Sequence, residues 1–453
     1  PLAEGAVIGD TLRCPWHHAC FDLRTGSATA APAMRPLRVF PVVREGDRVR
    51  VLPQPRTSNA PTETGSGHVV IVGAGAAGSF AAAELRRIGF GGEVTLITAE
   101  ERLPYDKPNL SKDYLAGRAP ADWIPLRTED DYASDRITLR LGTKVDAIDT
   151  ARSEVRLANG GHIAYDRLIL APGARPRRLD IPGAERVRYL RTWSDAEALI
   201  EAAGEARNAV IIGASFIGLE TAASLRERGL NVTVVGTEPQ PLARVLGNEI
   251  ADFLRRAHES HGVEFRLGRK PVEIRNGAVV LDDGSAIAGD LIVAGIGVEP
   301  DLALAESAGL KLDRGIVADE HLKTSVPNVY AAGDAVRVGG IRVEHWVAAA
   351  RQGQCAARNA AGRRERYASV PFFWSQHYDL VFAYVGHAGR ADDAQLFGSL
   401  EDGGAAVVYR DAGRIAAVAT LFRDDISLAV EAAMERNAPD DEILRIVREG
   451  FQP

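Results

Sequence analysis

No run of apolar residues in this chain approaches the roughly 18–20 needed to cross a bilayer as a helix, so nothing reads as a membrane span. Cysteine is scarce. Cys14, Cys20 and Cys355 are too few and too scattered for a disulfide framework, which suits a reducing, cytoplasmic setting. Basic excess is also missing: 54 Lys and Arg stand against 61 Asp and Glu, a net charge of −7 that argues against a broad nucleic-acid-binding surface. The chain opens on Pro1 with no basic-plus-apolar leader, a silence that says little about targeting. What is present is ordinary for a globular protein, with 46% hydrophobic and 25% charged residues. At 453 residues the chain exceeds one hydrophobic core, and roughly three or four domains are expected.

Residues 1–52 read as short strands, in "AVIGDTLRCPW" and then "RPLRVFPVVREGDRVRVLP", where alternating Val and Arg break at an "EGD" turn. The Pro-, Thr-, Ser- and Gly-rich stretch 53–67, "PQPRTSNAPTETGSG", reads as an interdomain linker. Two similar units follow. "HVVIVGAGAAGSFAAAELRRIGFGGEVTLITAE" (68–100) is strand, glycine turn, Ala-rich helix, strand, and "NAVIIGASFIGLETAASLRERGLNVTVVGTE" (208–238) repeats the plan. Both show the βαβ pattern of a parallel, helix-covered sheet, so the fold class is α/β with two nucleotide-binding folds. From about 368 the tail reads as a small α+β domain. Three strands ("LVFAYVGHA", "GAAVVYRD", "RIAAVATLF") precede two helices ("DISLAVEAAMERN", "DDEILRIVREG").

Gly73, Gly75 and Gly78 give G-x-G-x-x-G between strand and helix in the first unit. The first permits the tight turn, the second lets backbone N–H groups reach a pyrophosphate, and the third lets helix and strand pack closely. Glu100, at the end of the next strand, is placed to accept from a ribose hydroxyl. In the second unit Gly213, Ser215 and Gly218 occupy the matching positions; Ser215 takes room beside a pyrophosphate but offers a hydroxyl. The strand-end acid is displaced to Glu238, and Arg244 is the nearest base, which favours NADH over NADPH. One held flavin and one exchangeable nicotinamide, brought ring against ring, is the economical reading of two such sites.

"CPWHHACFDLRTG" (14–26) raises a different chemistry. Cys14 and His17 stand in C-x-x-H spacing and supply one thiolate and one imidazole, whereas a Rieske cluster needs two of each. No Cys or His precedes Cys14, so the matching first ligand box is expected to lie outside the given chain, and a [2Fe–2S] cluster is expected only with it.

"VPNVYAAGDAV" (326–336) and "LILAPGARPRRLDIPG" (168–183) resemble signatures of glutathione-reductase-fold flavoproteins. "LPYDKPNLSKDYL" (103–115), "VEHWVAAARQGQCAARN" (343–359) and "FFWSQHYDLVFAYVGHA" (372–388) narrow the resemblance to ferredoxin reductases and apoptosis-inducing-factor-like proteins. With the Rieske-like start, the Rieske-fused members of that group are the most similar. The resemblance implies an FAD domain at 68–185 and 310–367, an NAD(H) domain at 186–309 and a C-terminal domain at 368–453.

It implies roles residue by residue. Asp334 would bond the FAD ribityl chain, and it also reads as a cap for a following helix. Lys112 would lie beside the isoalloxazine, where a cation favours the reduced, anionic ring. Lys107 stands for a usual Arg near the FAD phosphates, and Glu220 of "IGLE" would pair with Lys112 near the nicotinamide. Trp346 and Trp374 would wall the flavin, with Gly173, Glu344 and His345 of the same signatures at the FAD site. Gly295 and Gly297 would let the backbone approach the nicotinamide ribose. Lys112, Glu220 and Trp346 are the residues implied at the chemistry.

Disulfide reductases of this fold carry a cysteine pair after the first unit, yet residues 79–130 hold no Cys. Electrons are therefore expected to leave singly for an iron–sulfur acceptor: the attached Rieske centre of an intact protein, then a ferredoxin or oxygenase partner. An oxidase or diaphorase using oxygen or quinone, and an NADH-responsive binding module, are the alternatives. A homodimer is left open, and "ARNAAGRRERY" (357–367) is the basic stretch to weigh for docking.

Overall fold

The protein is described from a computed structural model over residues 2–56, 62–389 and 391–452. Part of the stretch read as a linker, residues 57–61, lies outside that description. Its end packs on the next domain, with Thr64 bridged to Phe90 and its N–H donating to the Gly89 carbonyl at 2.7 Å.

Runs of β-branched residues build two parallel sheets, each buried on both faces. In the first, the order is Val329–Ala331, Arg167–Leu170, His68–Val72, Glu93–Ile97, Ile137–Arg140. In the second it is Arg188–Tyr189, Leu291–Ala294, Asn208–Ile212, Asn231–Gly236, Val263–Leu267. Val69, Val70, Ile71, Val210 and Ile211 are fully buried, as central parallel strands require. Strand Val329–Ala331 returns to the first sheet from far along the chain, so the second sheet is an insertion in the first domain.

Helix Ala76–Arg87 crosses helix Trp346–Ala360 through alanines and glycine. A Cβ on Gly353 would sit 2.0 Å from the Ala77 carbonyl oxygen, so no side chain is tolerated at that crossing.

The C-terminal domain has five antiparallel strands, not three. Their order is Phe372–His377, Leu380–Gly386, Arg414–Leu421, Gly404–Asp411, Asp393–Ser399, with helices Asp424–Glu435 and Asp440–Glu449 beside them. Asp393–Ser399 is an exposed edge strand without β-branched residues, and Phe372–His377 carries a polar end; neither shows an apolar alternation.

The N-terminal segment folds as Ala6–Ile8, Thr11–Arg13, Cys20–Asp22 and Ala28–Ala30, followed by the hairpin Val42–Glu45/Arg48–Val51 turning at Gly46. Residues 35–41 form no strand, because Pro36 and Pro41 interrupt them. This segment is anchored through buried charge. Glu431 is fully buried and takes Arg13 at 3.2 Å, His18 at 2.9 Å and Arg351 at 2.7 Å. Arg351 also donates to the His18 carbonyl at 3.1 Å, and the His18 ring stacks on Phe372 at 3.7 Å.

Candidate functional site

A cleft of about 1740 Å³ runs between the two parallel sheets and is closed on one side by the C-terminal domain. Helices Ala76–Arg87, Phe216–Glu227 and Trp346–Ala360 all open on it by their first residues. At the first glycine turn, Gly73 has φ +99°, and a Cβ on Gly78 would lie 1.8 Å from the Gly73 carbonyl oxygen. Gly75 has nothing within 4 Å of where its Cβ would be and faces the open cleft. That vacancy at a helix N-terminus is the cradle a pyrophosphate fills, so these residues fit a dinucleotide.

The second turn repeats the close contact, with a Gly218 Cβ placed 2.0 Å from the Gly213 carbonyl oxygen. Ser215 spends its hydroxyl on the protein. It donates to the Gly295 carbonyl at 2.7 Å and accepts from the Gly218 N–H at 3.2 Å, capping the helix. Gly295 is thus packed against the helix start, while Gly297 lines the cleft. Arg244 lines the cleft as well and reaches Glu238 at 2.5 Å.

Glu100 accepts from the Tyr105 hydroxyl at 2.5 Å and from Lys107 at 3.1 Å. Burial, with Glu100 beside it, pushes the Tyr105 phenol well up, and burial lowers the Lys107 ammonium. Glu100 and Lys107 both line the cleft, as does Gly173. Asp334 lines it too, held by Arg191 at 3.0 Å. The helix-cap reading of Asp334 does not stand: strand Val336–Val338 follows it, and the next helix is led by His345. Freed from capping, the carboxylate faces the cleft. Glu344 pairs with Arg342, and His345 sits on Phe373 at 4.5 Å. His345 Nδ1 is buried without a partner, and burial takes its ring down to about 3. An orphaned ring nitrogen on the cleft wall is a second mark of a site shaped for a polar group.

At the centre Lys112 and Glu220 form a buried ion pair of 2.8 Å. Ser111 donates to the same carboxylate oxygen at 2.5 Å, and Ser375 donates to the other at 2.5 Å. The pair is therefore fixed by hydrogen bonds as well as by charge. Trp346 and Trp374 line the same region, with Lys112 Nζ 5.8 Å from the Trp374 ring centroid. Trp374 also meets the His17 ring, edge-on at 4.4 Å.

Cys14 and His17 gather no further ligands. Among the described residues no group of three or more His, Cys, Asp or Glu could hold a metal, so these two alone do not fit a [2Fe–2S] cluster. Cys355 is buried, and burial pushes its thiol up to about 12, as suits a small apolar filler. In stretch 357–367 Arg358 binds Glu84 and Glu365 and Arg366 binds Glu320, while Arg363 and Arg364 are exposed. Arg191, Ser375, Arg351 and Glu431 carried no sequence signal. Their partners lie far along the chain, although Ser111 stood one residue from Lys112.

Residues 67–353 match the family model described as pyridine nucleotide-disulphide oxidoreductase, and residues 1–41 match the Rieske [2Fe-2S] domain. Rhodocoxin reductase of Rhodococcus erythropolis is 40% identical over 74% of this chain and 82% of its own length. Human apoptosis-inducing factor 3 is 32% identical over 94% of this chain and 75% of its own. The covalent putidaredoxin reductase–putidaredoxin complex superposes with a TM-score of 0.79 at 35% identity, covering 83% of this chain and 95% of that one. No helix among the described residues is long and apolar enough to cross a membrane. Glycine turns, paired parallel sheets and relatives agree: the chain belongs to the pyridine nucleotide-disulphide oxidoreductase family, as an oxidoreductase of its ferredoxin-reductase group with a Rieske-type segment at its N-terminal end.

Proposed function

We propose that this chain takes hydride from NADH at the Gly213–Gly218 turn, with FAD held at the Gly73–Gly78 turn, and hands the electrons on singly to an iron–sulfur protein. Bound FAD supplies the conversion of a two-electron hydride into single electrons. The observation that carries the reading is one continuous cleft joining both glycine turns, with the Lys112–Glu220 pair at its centre and no cysteine on its wall. With no thiol on its wall, the cleft offers no dithiol through which to pass the electrons.

The chain's own residues divide the work. The helix start at Gly75–Ala77 would offer backbone N–H groups to the FAD pyrophosphate, and Glu100, Lys107, Asp334 and Arg191 of the cleft wall would hold the rest of that cofactor. Lys112, fixed by Glu220, would set a positive charge beside the flavin, favouring its reduced, anionic form. Glu238 engages Arg244, the nearest base, which supports NADH over NADPH. Trp374, within reach of both Lys112 and His17, supports a Rieske- or ferredoxin-type surface as the acceptor docked at this edge. The names of the reductase relatives, and the putidaredoxin complex, support the same class of partner. Three thiols and no bridge between them are compatible with a cytoplasmic setting.

Anaerobic titration of the purified protein with NADH and with NADPH tests the reading. NADH is expected to bleach the flavin band, NADPH to do so far more slowly, and an added [2Fe–2S] ferredoxin to become paramagnetic as the band returns. Colourless protein, or a band that neither nucleotide bleaches, sinks it.

A further inference from the structure

A polar chain leaves Glu220 from the carboxylate oxygen that Lys112 does not bind, and its members lie off the cleft wall. The Ser375 hydroxyl lies 2.5 Å from Glu220 Oε1, and His377 Nε2 lies 3.1 Å from Ser375 Oγ. His258 Nε2 is 3.2 Å from His377 Nδ1, and the Tyr378 hydroxyl is 3.4 Å from His258 Nδ1. Ser375, His377 and His258 are at most 1% exposed, whereas Tyr378 is 7% exposed and stacks at 3.7 Å on the exposed His261. The residues come from two elements that meet here, strand Phe372–His377 with its turn and helix Ala243–Ser260.

The bonding has a single direction. Burial takes His377 down to about 3 and His258 well below its ordinary value, so each ring is neutral, with one N–H and one lone pair. An ionised Glu220 can only accept, so Ser375 donates to it. Ser375 then accepts from His377 Nε2–H, His377 Nδ1 accepts from His258 Nε2–H, and His258 Nδ1 accepts from the Tyr378 hydroxyl. Every bond points toward Glu220, and none opposes another. Burial and neighbouring Glu227 raise the Tyr378 phenol against the opposing Arg226, keeping it a donor. Lys112 is the charged neighbour of His377, and His261 and His377 are the titratable neighbours of His258; the Phe382 ring lies 6.0 Å from His377 and the Phe265 ring 6.2 Å from His258. Two buried imidazoles in series are costly packing unless they are fully bonded, and each can take a proton on one side while releasing one from the other.

We propose that Ser375, His377, His258 and Tyr378 are a proton relay between Glu220 and the surface beside His261. It rests on the reading of the cleft as the NADH site. A one-link shift of each hydrogen forms an O–H bond on Glu220, and Tyr378 replaces its own proton from water. The reverse shift returns that proton to water. Arrival of hydride adds one negative charge to the cleft, and the inward shift offsets it. Departure of two electrons to two acceptors releases two protons, the hydride's own and the one lent to Glu220. The sum over both halves is NADH plus two oxidised acceptors giving NAD⁺, two reduced acceptors and one proton.

The test uses the flavin-loaded protein mixed with NADH beside a pH-indicator dye, so that proton uptake and flavin bleaching are read in one shot. In the parent protein uptake of one proton per NADH is expected to keep pace with bleaching. In Ser375→Ala, which cuts the first link, and His258→Gln, which can bond but not shuttle, uptake is expected to lag bleaching at least tenfold. Uptake that still keeps pace in both variants overturns the relay. Nitrogen NMR of the resting protein is the second readout: neutral Nε2–H tautomers at both His258 and His377 are expected near pH 7. An Nδ1–H tautomer or an imidazolium at either overturns the common direction. Parent protein that NADH does not bleach overturns the reading of the cleft itself, and the relay's purpose with it.

Discussion

The imidazole of His17 meets the indole of Trp374 edge-on, centroids 4.4 Å apart and planes at 67°. One residue belongs to the Rieske-type segment and the other to the cofactor cleft, so a single aromatic contact joins the two ends of the chain's chemistry.

Trp374→Ala is expected to slow electron delivery to an added ferredoxin at least tenfold, about 1.4 kcal/mol in barrier. Trp374→Phe, which keeps an aromatic face against His17, is expected to recover most of the loss. Rapid mixing separates delivery from flavin bleaching by NADH. Equal slowing of both steps would show that Trp374 serves the cofactor alone.

Glu220→Leu leaves the Lys112 ammonium buried without its partner, and unfolding is expected to become easier by about 3–5 kcal/mol. The double variant Lys112→Met, Glu220→Leu is expected to regain much of that stability while NADH oxidation stays low. Denaturant midpoints of the four proteins in this cycle provide the check. A double variant no more stable than Glu220→Leu contradicts the assignment of the loss to an uncompensated charge.

Acid is expected to loosen the N-terminal segment. Burial alone would raise the Glu431 carboxyl, but Arg351 and His18 outweigh it and hold the group down to about 2, against an ordinary 4.5. Because the folded value lies below the unfolded one, this stabilisation is complete above pH 4.5 and drains as pH falls toward 2, on the order of 3 kcal/mol in all. Proteolysis of residues 1–56 against pH should follow that window. In Arg351→Met the segment is expected to be cleaved readily even at neutral pH.

Cys20 and Cys355 are expected to resist alkylation in the native protein near neutral pH. Burial raises their thiols to about 11 and about 12, which leaves almost no thiolate. Mass spectrometry after iodoacetamide treatment should show both modified only once denaturant is added. Rapid native labelling of Cys355 would contradict its placement in the helix core.

The parts of this architecture that could be read in the sequence are those encoded locally. Gly73, Gly75 and Gly78 state their geometry in six residues, and β-branched runs such as Val69–Val72 announce strands buried on both faces. Lys112 and Glu220 were legible through short motifs, though 108 positions separate them. Arg191 on Asp334, His258 on His377 and Arg351 on Glu431 were not, because each pair forms only when distant elements meet. The same holds for strand Asp393–Ser399, whose pairing with Gly404–Asp411 comes from backbone bonds its side chains do not advertise. The Ser215 hydroxyl, legible as a group at the nucleotide turn, also bonds the Gly295 carbonyl and the Gly218 N–H, contacts that only the folded chain reveals.

Three helices that begin at the cleft each present about half a positive elementary charge from aligned peptide groups. A protein with a net charge of −7 thereby attracts polyanionic nucleotides using its backbone. Such partial charges neither titrate nor swing away on flexible stems, so the attraction persists across pH. Its weakening by salt should also be milder than that of an interface built from exposed lysines.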